Sequence, residues 1–543
     1  MEFLIVSLIL VLFASLNSLN YFVFSLATPK NSFFLGTVHW AGDYFYYLSQ
    51  FAQGKHQWFF SYDLYTSDFK QKTLVGWVNV FLGHLFSLIR IDQLLAYQLS
   101  VIIFVALILG LSYLLIREIF PDSLTKRIVS FIFFTAGNAF PRIISKDGGF
   151  SFSYYNYWYD NALPFVRLGN VPHQLLAKAA VLLIILIFLL VGKNLEKGKL
   201  NLKGLVLYLF SMVILGLMLS SIDPVMWGVV TLVLIVSLGT HFLVRKYRDG
   251  REAGKGREGI LLGLWTGLFV SGLPISYYLK QLFSKPPYVQ LANWEATQQV
   301  SIDPIHFILA SGPILILAIV GLAFFLKKLT FQKIIAVIFP IVTIGIFFSP
   351  LPGLLRIVNV RFLPAATFLF LSCQAAEGVW GLSLKLEKRR KFLVIVLTIL
   401  VVLIGIPAYQ VQFGERLAVD TRNSYYYLSS DAYKIYKDAE KMSNPEDTFL
   451  VIWPFNSSFP GITGRRVFMG HHLLTSASFR KDKEQTDFFW GNETSEVMGE
   501  FLKKNQIDYV VTYPWTKNID KIDNLVKIDE RGQLALYKSN FAK

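Results

Sequence analysis

"LVGWVNVFLGHLFSLIR" runs from Leu74 to Arg90, and whether it crosses a bilayer decides the topology of everything around it. The stretch is apolar but short, and Asn79 and His84 interrupt it. A helix needs about 20 mostly apolar residues to cross the hydrocarbon core. Segments near that length occur at roughly 3–26, 93–117, 127–145, 173–192, 204–222, 225–244, 259–282, 304–326, 331–349, 361–384 and 391–410. The clusters KNLEKGKLNLK (193–203), RKYRDGREAGKGRE (245–258), KK (327–328) and KLEKRRK (385–391) belong on the cytoplasmic side, where basic loops are retained. They share one side when about eleven segments cross and 74–90 does not. The stretch is therefore expected as a helix lying at the outer surface or dipping in from it. The N-terminus is then inside, and 27–92 and everything after about 411 are outside. "SLA" before Thr28 resembles a signal cleavage site, but the leading residues carry Glu2 and no Lys or Arg. A retained anchor is the expectation.

Composition agrees with a membrane protein. Of 543 residues, 54% are hydrophobic and only 16% charged, which is too little charge for a soluble globular chain. The net charge of +16 comes largely from the basic clusters between apolar runs, so no nucleic-acid-binding face is expected. The single cysteine, Cys373, excludes an intrachain disulfide and a cysteine-based zinc site, and reads as a packing residue. No solenoid repeat, P-loop, GxSxG or HExxH is present.

Near Pro407 the composition changes: charges become frequent and apolar runs shorten. "DTFLVIWP" (447–454) and "IDYVVTYP" (507–514) read as strands, "NETSEVMGEFLKKNQ" (492–506) as a helix capped by Thr494 or Ser495, and "LVKIDERGQLALYK" (525–538) as a hairpin around Arg531-Gly532. The expected fold is an α-helical polytopic membrane domain, 1–410, with a large first outer loop at 27–92. A small extracytoplasmic α/β domain, 411–543, follows it.

The outer loops hold the chemistry-bearing residues. "DYFYYLSQFAQGKHQWFF" (43–60) sets Tyr44, Tyr47, Leu48 and Phe51 on one helical stripe, which suits an interfacial helix with Asp43 at its N-terminal cap. "AFPRIISKDGGFSFSYYNYWYDNALPFVRLGNVPHQLLAKA" (139–179) carries Arg142, Lys146, Asp147, Asp160, Arg167 and His173 among aromatics, and "SPLPGLLRIVNVRFLP" (349–364) sets Arg356 and Arg361 at the mouth of a span. "SIDP" occurs at 221–224 and 301–304, placing Asp223 and Asp303 at helix N-termini, with proline in the first turn. Charges at membrane level usually pair or line a polar cavity. Acids hold divalent cations and arginines clamp phosphate oxygens, so the combination points to a metal and a phosphate. Each residue also has a plainer reading: Asp43 as a cap, Asp160 in a turn, Arg356 and Arg361 on lipid headgroups, Arg167 and His173 in loop closure. "GHH" (470–472) is not read as a metal pair, because adjacent residues of a strand point oppositely and no third ligand accompanies them.

An acid soon after the first span in a long first outer loop, as Asp43 stands in "AGDYFYYLSQ", followed by a surface helix, resembles the GT-C class of membrane glycosyltransferases. That class includes protein O-mannosyltransferases, oligosaccharyltransferases and aminoarabinose transferases. "FPGITGRRVFMGHH" (459–472) also looks like the outer domain of bacterial proteins of the class. The resemblance implies a polytopic cell-envelope enzyme that moves a hexose or pentose, with inversion, from a polyprenyl-phosphate donor to a lipid, glycan or protein acceptor on the outer side. It implies Asp43 as catalytic base or metal ligand and Mg or Mn as a possible cation held by Asp43, Asp147 and Asp160. Arg167, His173, Arg356, Arg361 and Tyr47 would contact substrate. Many members carry two adjacent acids, whereas Asp43 is flanked by Gly42 and Tyr44; a second carboxylate would come from Asp63, Asp68, Asp147 or Asp160.

Two other readings stand beside it. A transporter or lipid flippase would favour charges in mid-span and broken helices at matching places in two halves. A non-catalytic anchor for 411–543 would need only one or two spans.

Overall fold

The structure is a computed structural model. It describes residues 2–541 apart from 38–39, 147–148, 158–160, 170, 250–254 and 385–388. By its internal contacts the chain divides into two units. Unit 1 comprises Met1–Asn17, Val101–Lys280 and Glu295–Glu415; unit 2 comprises Ser18–Ser100, Gln281–Trp294 and Arg416–Lys543. The first loop, 27–92, thus groups with the C-terminal sequence rather than with most of the spans.

Eight helices among the described residues are long and apolar enough to cross a membrane: Glu2–Leu26, Gln93–Ile119, Pro172–Glu196, Leu202–Ile222, Pro224–Tyr247, Glu258–Phe283, Phe331–Phe348 and Arg390–Leu417. The pair Pro304–Ser311 and Pro313–Phe325, bent by 97° at Gly312, makes up to nine. Two more expected segments are also helical. Ala365–Ser383 is a 19-residue helix buried almost throughout. The segment expected at 127–145 is a 13-residue helix, Leu124–Ala136, about 20 Å long at 1.5 Å per residue and shorter than a hydrocarbon core. It stops before Asn138, and the chain turns into a hairpin in which Pro141–Lys146 pairs antiparallel with Gly149–Tyr154. The doubtful stretch at 74–90 forms the 12-residue helix Trp77–Leu88, too short to span, as its interruptions led us to expect.

Unit 1 packs around the Pro313–Phe325 and Ala365–Ser383 helices, which meet at two glycines. A Cβ on Gly378 would fall within 3.2 Å of Gly321 backbone atoms and closer still to the Leu317 carbonyl oxygen. Buried Phe133, Phe347, Phe368, Leu371 and Val379 fill in around this contact. Lys126 and Glu377, both largely buried, pair at 2.7 Å.

Unit 2 holds a five-stranded sheet in the order 466–467, 448–451, 509–512, 534–539, 525–531. The first three strands are parallel, and the 525–531/534–539 hairpin closes the edge antiparallel. Thr494 caps the Ser495–Lys504 helix through its hydroxyl, and Gly532 takes φ 57° in the hairpin turn. The expected strand–helix–strand–hairpin order is what folds. Ser32–Phe34 of the first loop pairs antiparallel with Tyr427–Ser429.

The helix Ala41–Gln53 corrects an expectation. It is not an interfacial helix: Tyr44, Phe45, Tyr46, Leu48, Ser49, Gln50, Phe51, Ala52 and Gln53 are all buried. It packs between Trp77–Leu88 and Phe455–Thr463, and Gln50 accepts a 2.8 Å hydrogen bond from Asn79. The aromatic stripe reads the same in a core as at a headgroup layer, so the periodicity alone did not separate them. Close approach to Trp77–Leu88 depends on Gly83, where an added Cβ would collide with the Phe51 carbonyl oxygen. A backbone oxygen has no rotamer into which to retreat, so overpacking here falls at the expensive end. Gly83→Leu is expected to lower stability by about 3 kcal/mol or more, read as a fall in unfolding temperature in detergent. An unchanged unfolding temperature would contradict this packing.

Candidate active site

Asp43 is the polar exception on its buried helix. The N-cap position is Trp40, in the left-handed region at φ 45°, ψ 56°, and its side chain makes no capping hydrogen bond. Asp43 sits in the first turn rather than at the cap. Its side chain is 61% exposed, and a carboxylate there is favoured by the helix dipole. Trp40 is itself exposed, at 67%. A bulky residue held at positive φ costs energy that functional sites commonly store.

Among the described residues Asp43 meets His471, whose Nε2 lies 3.5 Å from Asp43 Oδ1 while its side chain is only 13% exposed. This residue was missed when GHH was weighed only as a metal pair. Neighbouring histidines diverge here: the His472 ring faces Phe479, 6.4 Å away between centroids, and His471 alone turns to the carboxylate. The imidazole is held from several sides. Leu473 N–H donates to Nδ1 at 3.2 Å, the Tyr65 ring meets it edge-on at 6.1 Å, and a Cβ on Gly42 would lie 3.4 Å from its Cδ2. Because Nδ1 accepts, the neutral ring carries its proton on Nε2, toward Asp43.

The turn bearing His471 is clamped in turn. Thr475 Oγ1 accepts from His471 N–H at 3.3 Å and donates to the Tyr65 carbonyl at 2.6 Å. Ser457 Oγ donates to Gly470 O at 3.2 Å, and Gln290 Nε2 donates to His472 O and Thr475 O at 3.2 and 3.0 Å.

Behind this turn lies a second acid of different character. Asp63 is 1% exposed. Its Oδ1 accepts from Tyr65 N–H at 2.9 Å, and its Oδ2 is buried without a hydrogen bond. Burial pushes this carboxyl up to about 7, against the pull of the Tyr65 N–H and of His471, Arg466 and Lys481. Asp68 is spent on Lys481, at 2.8 Å. Asp63 is closed off from solvent, and Asp68, half-exposed, is committed to Lys481.

The other expected residues fall as follows. Tyr47 is half-buried on the same helix, its ring 5.4 Å from that of Tyr46. Asp147 and Asp160 lie outside the described residues, and among the described residues no three His, Cys, Asp or Glu side chains come together to hold a metal ion. In unit 1, Arg167 departs from the expected phosphate contact. It is 1% exposed, and its guanidinium donates to the carbonyls of Asn161, Phe134, Gly137 and Ala162. Two of those carbonyls belong to the last turn and cap of Leu124–Ala136 and two to the turn before Pro164–Arg167, and a buried cation is what satisfies them. Arg361 makes a two-pronged pair with Glu295, Nε–Oε1 2.5 Å and Nη2–Oε2 3.1 Å. Its charge also opposes the upward push of burial on Asp223, and His173 lies in the first turn of the Pro172–Glu196 helix. Asp223 and Asp303 both accept N–H groups at helix starts, as the SIDP repeats indicated. Arg356 is exposed at φ 58°, capping the C-terminus of Leu351–Leu355.

The Asp63 carboxyl gives a signed prediction. Its folded value of about 7 stands above the ordinary 3.8, so the folded state holds the proton more tightly. Its contribution to stability is complete below about pH 4 and is lost as the pH rises through about 7. Asp63→Asn removes that loss and is expected to be more stable than the parent at pH 8, by as much as about 4 kcal/mol. The two should converge below pH 4, read by unfolding across pH 4 to 8. Parallel curves would show that Asp63 ionises no differently when folded.

No family model matches the sequence, and no curated protein matches it. Solved structures do. The apo oligosaccharyltransferase of Archaeoglobus fulgidus superposes with a TM-score of 0.56 at 12% identity, covering 94% of this chain and 69% of that one. The oligosaccharyltransferase AglB of the same organism, in complex with an inhibitory peptide and a dolichol-phosphate, gives 0.53 at 11% identity, with coverage again 94% and 69%. The arabinofuranosyltransferase AftD from Mycobacteria gives 0.52 at 11% identity, covering 97% of this chain but 39% of that one. At such identities the likeness is one of architecture, and it is consistent across different transferases. The chain is a multi-pass membrane protein with the fold of the GT-C glycosyltransferases.

Proposed function

We propose that this protein is an inverting glycosyltransferase that moves a sugar from a polyprenyl-phosphate donor to an acceptor hydroxyl or amide, with Asp43 as the general base. The observation that carries the reading is the exposed carboxylate of Asp43, a residue of the first turn of a buried helix, with the Nε2 of His471 3.5 Å away, in a chain of this fold. The acceptor's proton passes to Asp43 as its oxygen or nitrogen bonds to the anomeric carbon. The bond from that carbon to the phosphate oxygen breaks, and its electron pair leaves with the polyprenyl phosphate. Attack from the face opposite the leaving group inverts the centre.

A departing phosphate calls for a cation. Within unit 1, Arg356, Arg361 and His173 are proposed as contacts to the lipid phosphate, and Arg167, held by four carbonyls, is not. The reading extends to a divalent cation, Mg or Mn, with Asp43 the one described ligand, and no step above depends on that ion. Lipid, glycan and protein acceptors are all compatible. A transporter remains the competing reading.

The orientation is part of the proposal: residues after about 411 face the outside of the cell. The Arg422 side chain is 95% exposed and the native Cys373 is buried. A cysteine at Arg422→Cys is therefore expected to react with an impermeant maleimide on intact cells. Reaction only after lysis would overturn the orientation.

For the chemistry, the protein is reconstituted in liposomes with labelled polyprenyl-phosphate hexose or pentose and a membrane extract as acceptor. The expected result is transfer by the native chain and a loss of about 100-fold or more in Asp43→Asn. Equal transfer by both would remove Asp43 from the reaction. Solute uptake without transfer would favour the transporter.

A further inference from the structure

We infer that His471 is the positioning residue of the Asp43 carboxylate, so that the C-terminal sequence takes part in the chemistry itself. The inference rests on Asp43 being the base, and it deepens that reading.

Three features support it. First, the ring is fixed and the carboxylate is not. His471 is nearly buried, packed against Gly42 and the Tyr65 edge, whereas Asp43 is mostly exposed. Second, the tautomer is set. The Leu473 N–H occupies Nδ1, which leaves the ring proton on Nε2, and that nitrogen lies 3.5 Å from Asp43 Oδ1. That separation is slightly long for a hydrogen bond. Such contacts commonly tighten once substrate is bound. Third, the turn has no slack: Thr475, Ser457 and Gln290 tie the backbone on both sides of His471, and Thr475 ties it to Tyr65.

A donor on Oδ1 leaves Oδ2 for the acceptor's proton and selects the carboxylate rotamer that presents it. The exposed aspartate would otherwise sample several rotamers, and productive geometry is worth a large factor in rate. The same donor orients the carboxylate whether it takes a proton directly or also binds a cation.

The test uses the full-length protein in liposomes with the same two labelled donors, reading kcat and KM for donor alongside the unfolding temperature. His471→Ala should lower kcat by about 10- to 100-fold with donor KM within about twofold and the unfolding temperature little changed. His471→Gln, whose amide N–H reaches the position of Nε2, should restore most of the lost kcat. A purely structural role would instead move unfolding temperature, KM and kcat together, with no recovery in the glutamine variant, and would overturn the inference. Native kcat in His471→Ala, beside an inactive Asp43→Asn, would sink the inference while leaving the proposed function standing. A native protein that transfers neither sugar would remove the proposed function and this inference with it.

Discussion

The arrangement depends on one helix, Ala41–Gln53, being buried on nearly every side except at its first turn. Gly83 lets its backbone come against a neighbouring helix, Gln50 and Asn79 satisfy each other inside, and Phe455–Thr463 closes another side. A carboxylate placed in the middle of such a helix would have to be paired or protonated. At the first turn it meets solvent and the favourable end of the helix dipole. Burial of the rest therefore gives Asp43 its defined position without taking its charge from water.

Asp63 shows the alternative twenty residues along the chain. It lies in the same unit, near His471, Arg466 and Lys481, yet it is closed off from solvent and its carboxyl is driven up toward neutrality. Nothing in the amino-acid type separates the two acids; exposure does. Solvent reaches the Asp43 side chain and not that of Asp63, so the second is an acid whose cost to the fold depends on pH. Lys481 is likewise committed, bound by Asp68, Ser67 and Thr66. The polar groups around the first loop thus sort into one that is presented and several that hold the presenting frame.

Much of this was legible from residues alone. Apolar length marked eight of the eleven expected spans, or nine with the bent pair, and the strand, cap and turn signals of 447–538 gave the order of the C-terminal elements because each is a local pattern. Asp43 stood out because acids are few among so many aromatics. What escaped reading was tertiary. The stripe Tyr44, Tyr47, Leu48 and Phe51 carries no mark that says core rather than interface. The 124–136 helix ends well before the apolar composition does, since the chain leaves the helix at Gly137 and Asn138 while Ala139, Phe140, Ile143 and Ile144 continue the hydrophobic run into a strand. Arg167 looks like a phosphate ligand until four carbonyls are seen converging on it, and convergence from 134, 137, 161 and 162 is not a sequence pattern. His471 is more than 400 positions from Asp43, and only folding brings the two together.

The fate of the charges in unit 1 bears on the choice between transfer and transport. A translocation path needs ionisable groups that can exchange partners as the cargo passes. Among the described residues, several of those inside unit 1 are engaged with fixed partners. Arg167 is held by backbone carbonyls, Lys178 donates to Val166 O and Arg167 O at 2.8 and 3.3 Å, and Lys126 pairs with Glu377 and Lys193 with Glu118. Releasing any of them would strand a buried charge or a set of carbonyls, at a cost of several kcal/mol. Such groups stiffen a scaffold better than they relay a solute. Asp43, by contrast, is exposed, set at a helix start and faced by a donor with its tautomer fixed, which is the form a reacting group takes on a rigid support.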